Sequence, residues 1–197
     1  MSEVQRVCGE RRSARTPAPF LSLPSHPSIP SLSPLPLFFS LEWARQLGPG
    51  VDPATLRIVA SPFSRTLETA TLAGAAVGIA PGVPAFSTAE ELVERHFGGF
   101  ELQDHAHYAT VWEEDAKDLD WRPPGGGESV LDVAERVAAL YARLEEGLGS
   151  DGAAPLKILL VAHGDTLSIA TAVAKGADLG QHRAHAQETG ELRRLVV

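Results

Sequence analysis

The stretch "LLVAHGDTLSIA", residues 159–170, runs from an apolar, strand-like segment into a helical pattern at His163. A second junction of this kind lies upstream, where "LRIVASP" (56–62) leads directly into "SRTLETATLAGAAVG" (64–78). Continuous apolar runs with β-branched residues predict buried strands at both places. Strand-then-helix units predict an α/β fold with a mainly parallel sheet covered on both faces, which is a three-layer α/β/α arrangement.

Each junction carries a polar residue that needs a reason. His163 is either a packed core histidine or part of a site. Arg65 lies in the opening turn of its helix, where a cation faces the positive end of the helix dipole at a cost of about 0.3–1 kcal/mol. It either reaches solvent, pairs with Glu68 or lies beside a bound anion. Ligands bind where parallel strands end, so two such junctions favour an anion site, and the arginine fork matches two phosphate oxygens.

Glu94, in "ELVERHFGGF" (91–100), has two readings as well. It belongs either to a solvated helix face or to the pocket. Burial in a pocket would raise the pKa of its carboxyl and make it a proton donor. Arginine, histidine and glutamate around one anion suggest phosphoryl transfer, with the donors on the phosphoryl oxygens and the carboxyl on the leaving oxygen.

Local signals predict the remaining elements. "LEWARQLG" (41–48) predicts a short helix, and "PPGGGES" (123–129) predicts a loop. "SVLDVAERVAALYARLEEGLG" (129–149) predicts the clearest helix, with a capping box at its start and one apolar face. For the helix after the first strand, Ser61 is predicted to be the cap and Pro62 the first helical residue.

Composition limits the possible partners. The chain has 197 residues, 44% of them hydrophobic, and a formal net charge of -8. This acidity argues against nucleic acid or an anionic membrane surface as a partner, but not against a small anionic substrate in a locally basic site. The sequence has no apolar run of about 18 residues, and its single cysteine, Cys8, excludes an internal disulfide. We expect no metal and no cofactor, and the sequence does not indicate an oligomeric state.

Residues 1–40 differ from the rest of the chain, because they hold 7 of the 15 prolines together with many serines. Such a composition disfavours helix, central strand and packed core, so we expect a disordered segment. A basic, serine-rich segment of this kind is also typical of an organelle transit peptide. The globular domain is therefore predicted at 41–197. A cytoplasmic location is favoured, with organelle import as the alternative.

Taken together, these motifs resemble the histidine phosphatase superfamily, the phosphoglycerate mutase-like proteins. Four segments match the family in order, and their combined spacing is more specific than any one of them: "LRIVASPFSRTLETA", "LVERHFGGFE", "PPGGGESVLDVAERV" with one extra glycine, and "LLVAHGDTLSIATA". "LEWARQLG" resembles the helix that follows the family's first catalytic loop. The resemblance covers roughly residues 41–197.

The resemblance implies a phosphoglycerate mutase-like fold and a phosphohistidine mechanism on a small phosphorylated metabolite. It implies that Arg65 binds phosphate oxygens with Arg95 alongside. Glu94 would be the catalytic acid/base, and His163 would be the second catalytic histidine.

The chain departs from the family at the nucleophile, which lies in an Arg-His-Gly triplet at the end of the family's first strand. The sequence contains no such triplet, and His26, in "LPSHPSIPS", lacks both the arginine and the glycine. We therefore expect no nucleophile in this chain and the loss of the first strand. Two hypotheses follow: a phosphatase or mutase with impaired turnover, and a catalytically inactive phosphate-binding or interaction protein. The loss is either an artefact of the gene model or a property of a real pseudoenzyme.

Overall fold

The apolar runs at the two junctions form neighbouring parallel strands. The strands are β1 (Leu56–Ala60), β2 (Phe86–Thr88) and β3 (Lys157–Val161), in the order β2-β1-β3. Both pairings are parallel, and Ala60 of β1 is level with Val161 of β3. The two strand-to-helix junctions therefore meet at one edge of the sheet, and the predicted parallel α/β sheet is confirmed.

The computed structural model describes residues 46, 51–103, 106–146 and 157–195. All of them belong to the unit Leu32–Val197. The predicted disorder of residues 1–40 lies outside the described residues, and so does the predicted helix at 41–48 except for Gln46.

Within the described ranges, four α-helices accompany the strands. They are α1 (Ser64–Ala76), α2 (Ala106–Asp115), α3 (Val130–Glu146) and α4 (Gly164–Lys175). Short 3-10 segments lie at Pro53–Thr55, Glu90–Leu92, Gly98–Phe100 and Leu179–His185.

The two faces of the sheet are covered by different helices, because successive strand residues point to opposite sides. Leu56 and Ile58 of β1 pack with Ala70 of α1 on one face. Val59 of β1 packs with Leu140 of α3 on the other. Helix α4 packs on α3 through a further apolar cluster. The layers are therefore helix, sheet and helix, as predicted.

Helix α3 follows its sequence signals closely. Ser129 and Asp132 form the predicted capping box: the Ser129 N–H donates to Asp132 Oδ2 at 2.8 Å, and the Asp132 N–H donates to Ser129 Oγ at 3.1 Å. Its apolar face is buried at Val130, Val133, Ala134, Val137 and Leu140. The predicted loop between 123 and 129 is also present, with Gly125 and Gly126 at positive φ.

Strand β3 is less well covered than β1. Among the described strands it pairs only with β1. Leu159 and Leu160 of β3 are only half-buried, whereas Ile58 and Val59, their partners in β1, are buried. The outer edge of β3, like that of β2, has no partner among the described strands, and the partial exposure of β3 favours the β3 edge for a further strand.

Two local predictions need correction. Helix α1 begins at Ser64, and its N-cap, Phe63, makes no side-chain capping bond. Ser61 is thus not the cap, since its hydroxyl contacts the His163 ring instead. Pro62 precedes the helix and is not its first residue. The second correction is α2, a helix for which the sequence analysis had no prediction.

Candidate active site

His163 lies at the point where β3 turns into α4, and it is 6% exposed. Both of its ring nitrogens have side-chain partners. Arg65 Nε donates to Nδ1 at 3.1 Å, and Ser61 Oγ lies 2.8 Å from Nε2. The residues at the ends of β1 and β3 are thereby joined into one cluster.

These contacts define the tautomer of His163. The Arg65 Nε–H is a donor, so Nδ1 accepts and carries no proton. In a neutral ring the proton is then on Nε2 and is donated to Ser61 Oγ. Burial lowers the pKa of His163 to about 4, and the positive charges of Arg65 and Arg136 act in the same direction. The imidazole is therefore neutral at ordinary pH.

Arg65 lies in the first turn of α1, and its side chain is exposed. Its guanidinium carbon lies 5.0 Å from the centre of the Phe63 ring, and that ring meets the His163 ring edge-on at 5.1 Å. Arg65 thus reaches solvent, which is one of the alternatives weighed for it, and makes no ion pair with Glu68 among the described residues. Its contact with His163 was not among those alternatives.

Glu94 lies against the start of α4. Its Oε1 accepts the Thr166 hydroxyl at 3.3 Å and the Thr166 backbone N–H at 3.4 Å, three residues after His163. Burial raises the pKa of Glu94 above its ordinary value, and the negative charge of Asp165 adds to this. Hydrogen bonds from the backbone N–H of Arg95 and from Thr166 act in the opposite direction and are outweighed. Arg65, Glu94 and His163 are thus brought to one sheet edge, while their catalytic roles stay predictions.

Arg95 occupies a different environment from the one predicted. Its side chain is fully buried and forms a two-pronged ion pair with Asp115, at 2.6 and 2.8 Å. It also contacts Asp165 at 3.2 Å and the Glu128 carbonyl at 3.0 Å. Every terminal nitrogen of the guanidinium has a carboxylate partner, so this placement does not fit direct binding of substrate phosphate. Arg95 instead joins α2 to the start of α4.

Asp165 is the other centre of this buried network. It accepts the Trp112 indole N–H at 3.1 Å and a guanidinium N–H of Arg183 at 3.2 Å. Nε2 of the buried His182 lies 3.6 Å away and has no hydrogen-bond partner within the part of the chain that the structure describes. Burial alone would raise the pKa of Asp165, but His182 and the positive charges of Arg95 and Arg183 outweigh it and hold that pKa below its ordinary value.

A cavity of about 610 Å³ opens beside these groups. Arg65 and Glu94 line it together with Gly164 at the start of α4, and Arg183 and four aromatic residues complete much of its wall. His163 is not among the described lining residues and lies behind Arg65. The cavity is much larger than a phosphate ion, so it has room for the group to which a phosphate is attached.

Two loops, one at 96–99 and one at 124–128, form the structure around Glu94 and are joined by backbone hydrogen bonds. The Glu128 N–H donates to the His96 carbonyl at 2.8 Å, and the Gly99 N–H donates to the Pro124 carbonyl at 2.6 Å. Gly98 has a φ of 61°, and a Cβ placed there would meet the Pro124 oxygen at 2.4 Å. The segment that carries Glu94 is thereby fixed to the loop before α3.

The profile of the histidine phosphatase superfamily (branch 1) matches residues 41–197. The chain belongs to this superfamily. The match spans all four motifs that carried the resemblance. No curated protein sequence matches the chain.

Solved structures of other histidine phosphatases show the same fold. A mycobacterial glucosyl-3-phosphoglycerate phosphatase is 27% identical, with a TM-score of 0.59 over 78% of this chain and 71% of that one. A protein described as mycobacterial hydrolase 1 is 26% identical, with a TM-score of 0.57 over 75% of this chain and 68% of that one. The alpha-ribazole phosphatase of Shigella flexneri, at 24% identity and a TM-score of 0.52 over 76% and 72%, is similar in fold.

Several residues of this candidate site were not singled out from the sequence. Ser61 was taken for a helix cap, although its place at the end of β1, level with the end of β3, could have suggested a contact with His163. Asp165 lies two residues after His163, in the first turn of α4, where an acidic residue is common. Trp112 and Arg183 had no local signal, because they lie in segments with no motif and enter the wall only through the tertiary fold.

Metal-binding clusters and membrane-spanning helices were also sought in the described residues. Within 46, 51–103, 106–146 and 157–195, no group of three or more His, Cys, Asp or Glu side chains is arranged to hold a metal ion. The helices of the same ranges are too short or too polar to traverse a bilayer.

Proposed function

We propose that the cavity binds the phosphoryl group of a small phosphorylated metabolite, and that the domain is built for phosphatase- or mutase-type phosphohistidine chemistry. The observation that carries this proposal is the 3.1 Å contact between Arg65 Nε and His163 Nδ1 at the edge of the cavity. It places a guanidinium and an imidazole beside the N-terminus of α4, where an anion is electrostatically favoured.

Glu94 supplies the acid in this proposal. Its pKa is raised by burial, so the carboxyl retains a proton at higher pH than an exposed glutamate would. A protonated carboxyl that lines the same cavity as Arg65 is suited to give its proton to the leaving oxygen when the P–O bond breaks. Thr166 fixes the position of the carboxyl through its hydroxyl and its backbone N–H.

We expect turnover in this chain to be low. In the family mechanism a histidine nitrogen bonds to phosphorus as the P–O bond breaks, and water later cleaves the P–N bond. The sequence has no Arg-His-Gly triplet to supply that histidine. Both ring nitrogens of His163 have protein partners. Removing the nucleophile from a unit of cooperating catalytic groups costs several orders of magnitude in rate.

The solved relatives support a phosphorylated substrate. The glucosyl-3-phosphoglycerate phosphatase is named for a small phosphorylated metabolite, and this chain covers more than two thirds of it. The same absence of the triplet favours the second candidate, a protein that binds phosphate compounds through Arg65 and does not turn them over. The two candidates share the binding site and differ only in catalysis.

Calorimetric titration with inorganic phosphate tests the shared part. We expect saturable binding that Arg65→Met weakens about ten-fold or more, because a hydrogen bond to a charged group is lost. Arg122→Met removes a guanidinium that pairs with Asp132 outside the cavity, and it should leave binding unchanged. Absent binding, or an equal loss in both variants, would contradict the proposed function.

Turnover of p-nitrophenyl phosphate separates the two candidates. The impaired enzyme gives a slow rate that falls further in Glu94→Gln, whereas the binding protein gives the same rate as buffer. Fast turnover that survives His163→Asn would show that the catalytic residues have been assigned wrongly. His96, which also lines the cavity, is then the next histidine to replace.

A further inference from the structure

Arg183 contributes a second guanidinium to the cavity, and the motifs of the family did not point to it. It lies in the 3-10 segment Leu179–His185, after α4. Its guanidinium carbon lies 3.8 Å from the centre of the Trp112 ring, and one terminal nitrogen lies 3.2 Å from Asp165 Oδ1. Stacking on one side and an ion pair at one end hold the fork in a fixed orientation.

The rest of the fork has no partner. A guanidinium has five N–H donors, and only Nη1 of Arg183 makes a hydrogen bond within the described residues. The side chain is 35% exposed and lines the cavity. The donors on Nη2 and Nε are therefore available to a ligand, and the cost of ordering the side chain has already been met by Trp112 and Asp165.

The contrast with Arg95 shows that this is not simply a structural ion pair. Arg95 is fully buried and uses Nε, Nη1 and Nη2 on protein acceptors. Asp165 already accepts hydrogen bonds from Arg95 and from the Trp112 indole, so it does not need Arg183 for its own satisfaction. Both arginines line the cavity, but only Arg183 has guanidinium nitrogens without a hydrogen-bond partner among the described residues.

We propose that Arg183 is a specificity residue that binds a carboxylate on the leaving group, so that the preferred ligands are phosphomonoesters of organic acids. This inference rests on the proposed function, because Arg65 must bind the phosphoryl group of the same ligand. The aromatic rings of Phe97, Tyr108 and Trp112 line the wall next to Arg183 and would pack against the carbon skeleton between the two anionic groups. A planar carboxylate matches the guanidinium fork.

Besides Glu94 and Asp165, the wall carries a third carboxylate that limits where the ligand carboxylate can lie. Glu101 lines the cavity and accepts the Phe97 N–H at 2.7 Å. It would repel a second anion placed beside it, so the favourable position is at Arg183. The site thus distinguishes a carboxylate from a neutral group of the same shape.

The test compares esters that differ only in this group. The probes are 4-carboxyphenyl phosphate against 4-carbamoylphenyl phosphate, and the shorter pair phosphoglycolate against its amide, each titrated calorimetrically into the full chain. We expect at least one carboxylate to bind about ten-fold more tightly than its amide, the size expected for a hydrogen bond to a charged group. This comparison needs no variant and does not depend on turnover.

Variants then assign the preference to Arg183. Arg183→Met should abolish the difference in affinity between carboxylate and amide, and Arg183→Lys should retain part of it. Arg122→Met, matched in chemistry and outside the cavity, should retain all of it. Equal binding of both members of both pairs overturns this inference alone, as does a preference that survives Arg183→Met. Absent binding of inorganic phosphate overturns the proposed function and this inference with it.

Discussion

Ser61 Oγ and His163 Nε2 lie 2.8 Å apart and join the ends of two neighbouring parallel strands. Ser61 is fully buried, and its hydroxyl is the acceptor for the single ring proton of His163. Ser61 therefore fixes the imidazole ring through Nε2, while Arg65 holds it through Nδ1. The orientation of the imidazole depends on a serine that lies 102 residues earlier in the chain.

Ser61→Ala should leave the ring proton of His163 buried without an acceptor. Arg65 still donates to Nδ1 in this variant, so the proton stays on Nε2, and the lost hydrogen bond should cost about 1–3 kcal/mol of unfolding free energy. Urea unfolding measures this loss, and Ser61→Thr, which keeps the hydroxyl, should lose much less. Arg65→Met should instead allow the tautomers to mix, which histidine 15N chemical shifts report directly. A Ser61→Ala chain as stable as the unsubstituted one would contradict the role given to this contact.

The neutral state of His163 predicts a pH dependence of stability. The folded pKa is about 4, whereas an unfolded histidine has a pKa of about 6.5. Because the unfolded chain binds the proton first, His163 contributes stability above about pH 6.5 that is lost as the pH falls towards 4.

Urea unfolding at pH 7 and at pH 4.5 measures this contribution. Other groups titrate in the same range, so the comparison is with His163→Gln, which should lose less stability between the two pH values than the unsubstituted chain. The same loss in both proteins would mean that the imidazole is not held neutral.

The buried ion pair between Arg95 and Asp115 should be costly to break. Asp115→Asn removes the charge that faces a fully buried guanidinium, and breaking such a pair typically costs about 3–5 kcal/mol. Chemical denaturation measures the loss. The neighbouring Glu114→Gln breaks a surface pair with Lys117 and should cost about 0–1 kcal/mol. Similar losses in the two variants would argue against a special role for the buried pair.

A grafted strand should restore what the chain lacks. Replacing residues 1–40 with a β-strand that ends in Arg-His-Gly would fill the outer edge of β3, which has no partner among the described strands. We expect a higher melting temperature, because the strand satisfies edge N–H and C=O groups. We also expect turnover of p-nitrophenyl phosphate to rise about a thousand-fold or more.

The matched control for the graft ends in Arg-Asn-Gly. It should stabilise the chain equally without restoring turnover, because only the nucleophile differs. Equal turnover from both grafts would show that the introduced histidine is not the attacking group.

The sequence predicted the features that depend on local pattern. The strand-to-helix junctions at Arg65 and His163, the capping box at Ser129 and the apolar face of α3 each follow from neighbouring residues. Parallel pairing then brings the two junctions together without further information, because strands that run the same way end at the same edge.

The features that were missed depend on distant contacts. Arg95 was expected at the phosphate because of the resemblance of its segment to the family. The partner that holds its guanidinium, Asp115, belongs to a helix that the sequence did not indicate. Ser61 looked like a helix cap because serine is common there. Its true partner, His163, becomes visible only when β1 and β3 are level.

The close approach of Gly98 to Pro124 couples the loop after Glu94 to the loop before α3, so that the two constrain each other's sequence. A side chain can enter at residue 98 only if the Pro124 carbonyl moves away, since a Cβ would lie 2.4 Å from its oxygen. The Gly99 N–H depends on that same carbonyl. A substitution at Gly98 is therefore tolerated only with a compensating change at Pro124, and we expect residues at these two positions to vary together. Exchanging one of the two loops between homologues should disturb Glu94, whereas exchanging both together should not.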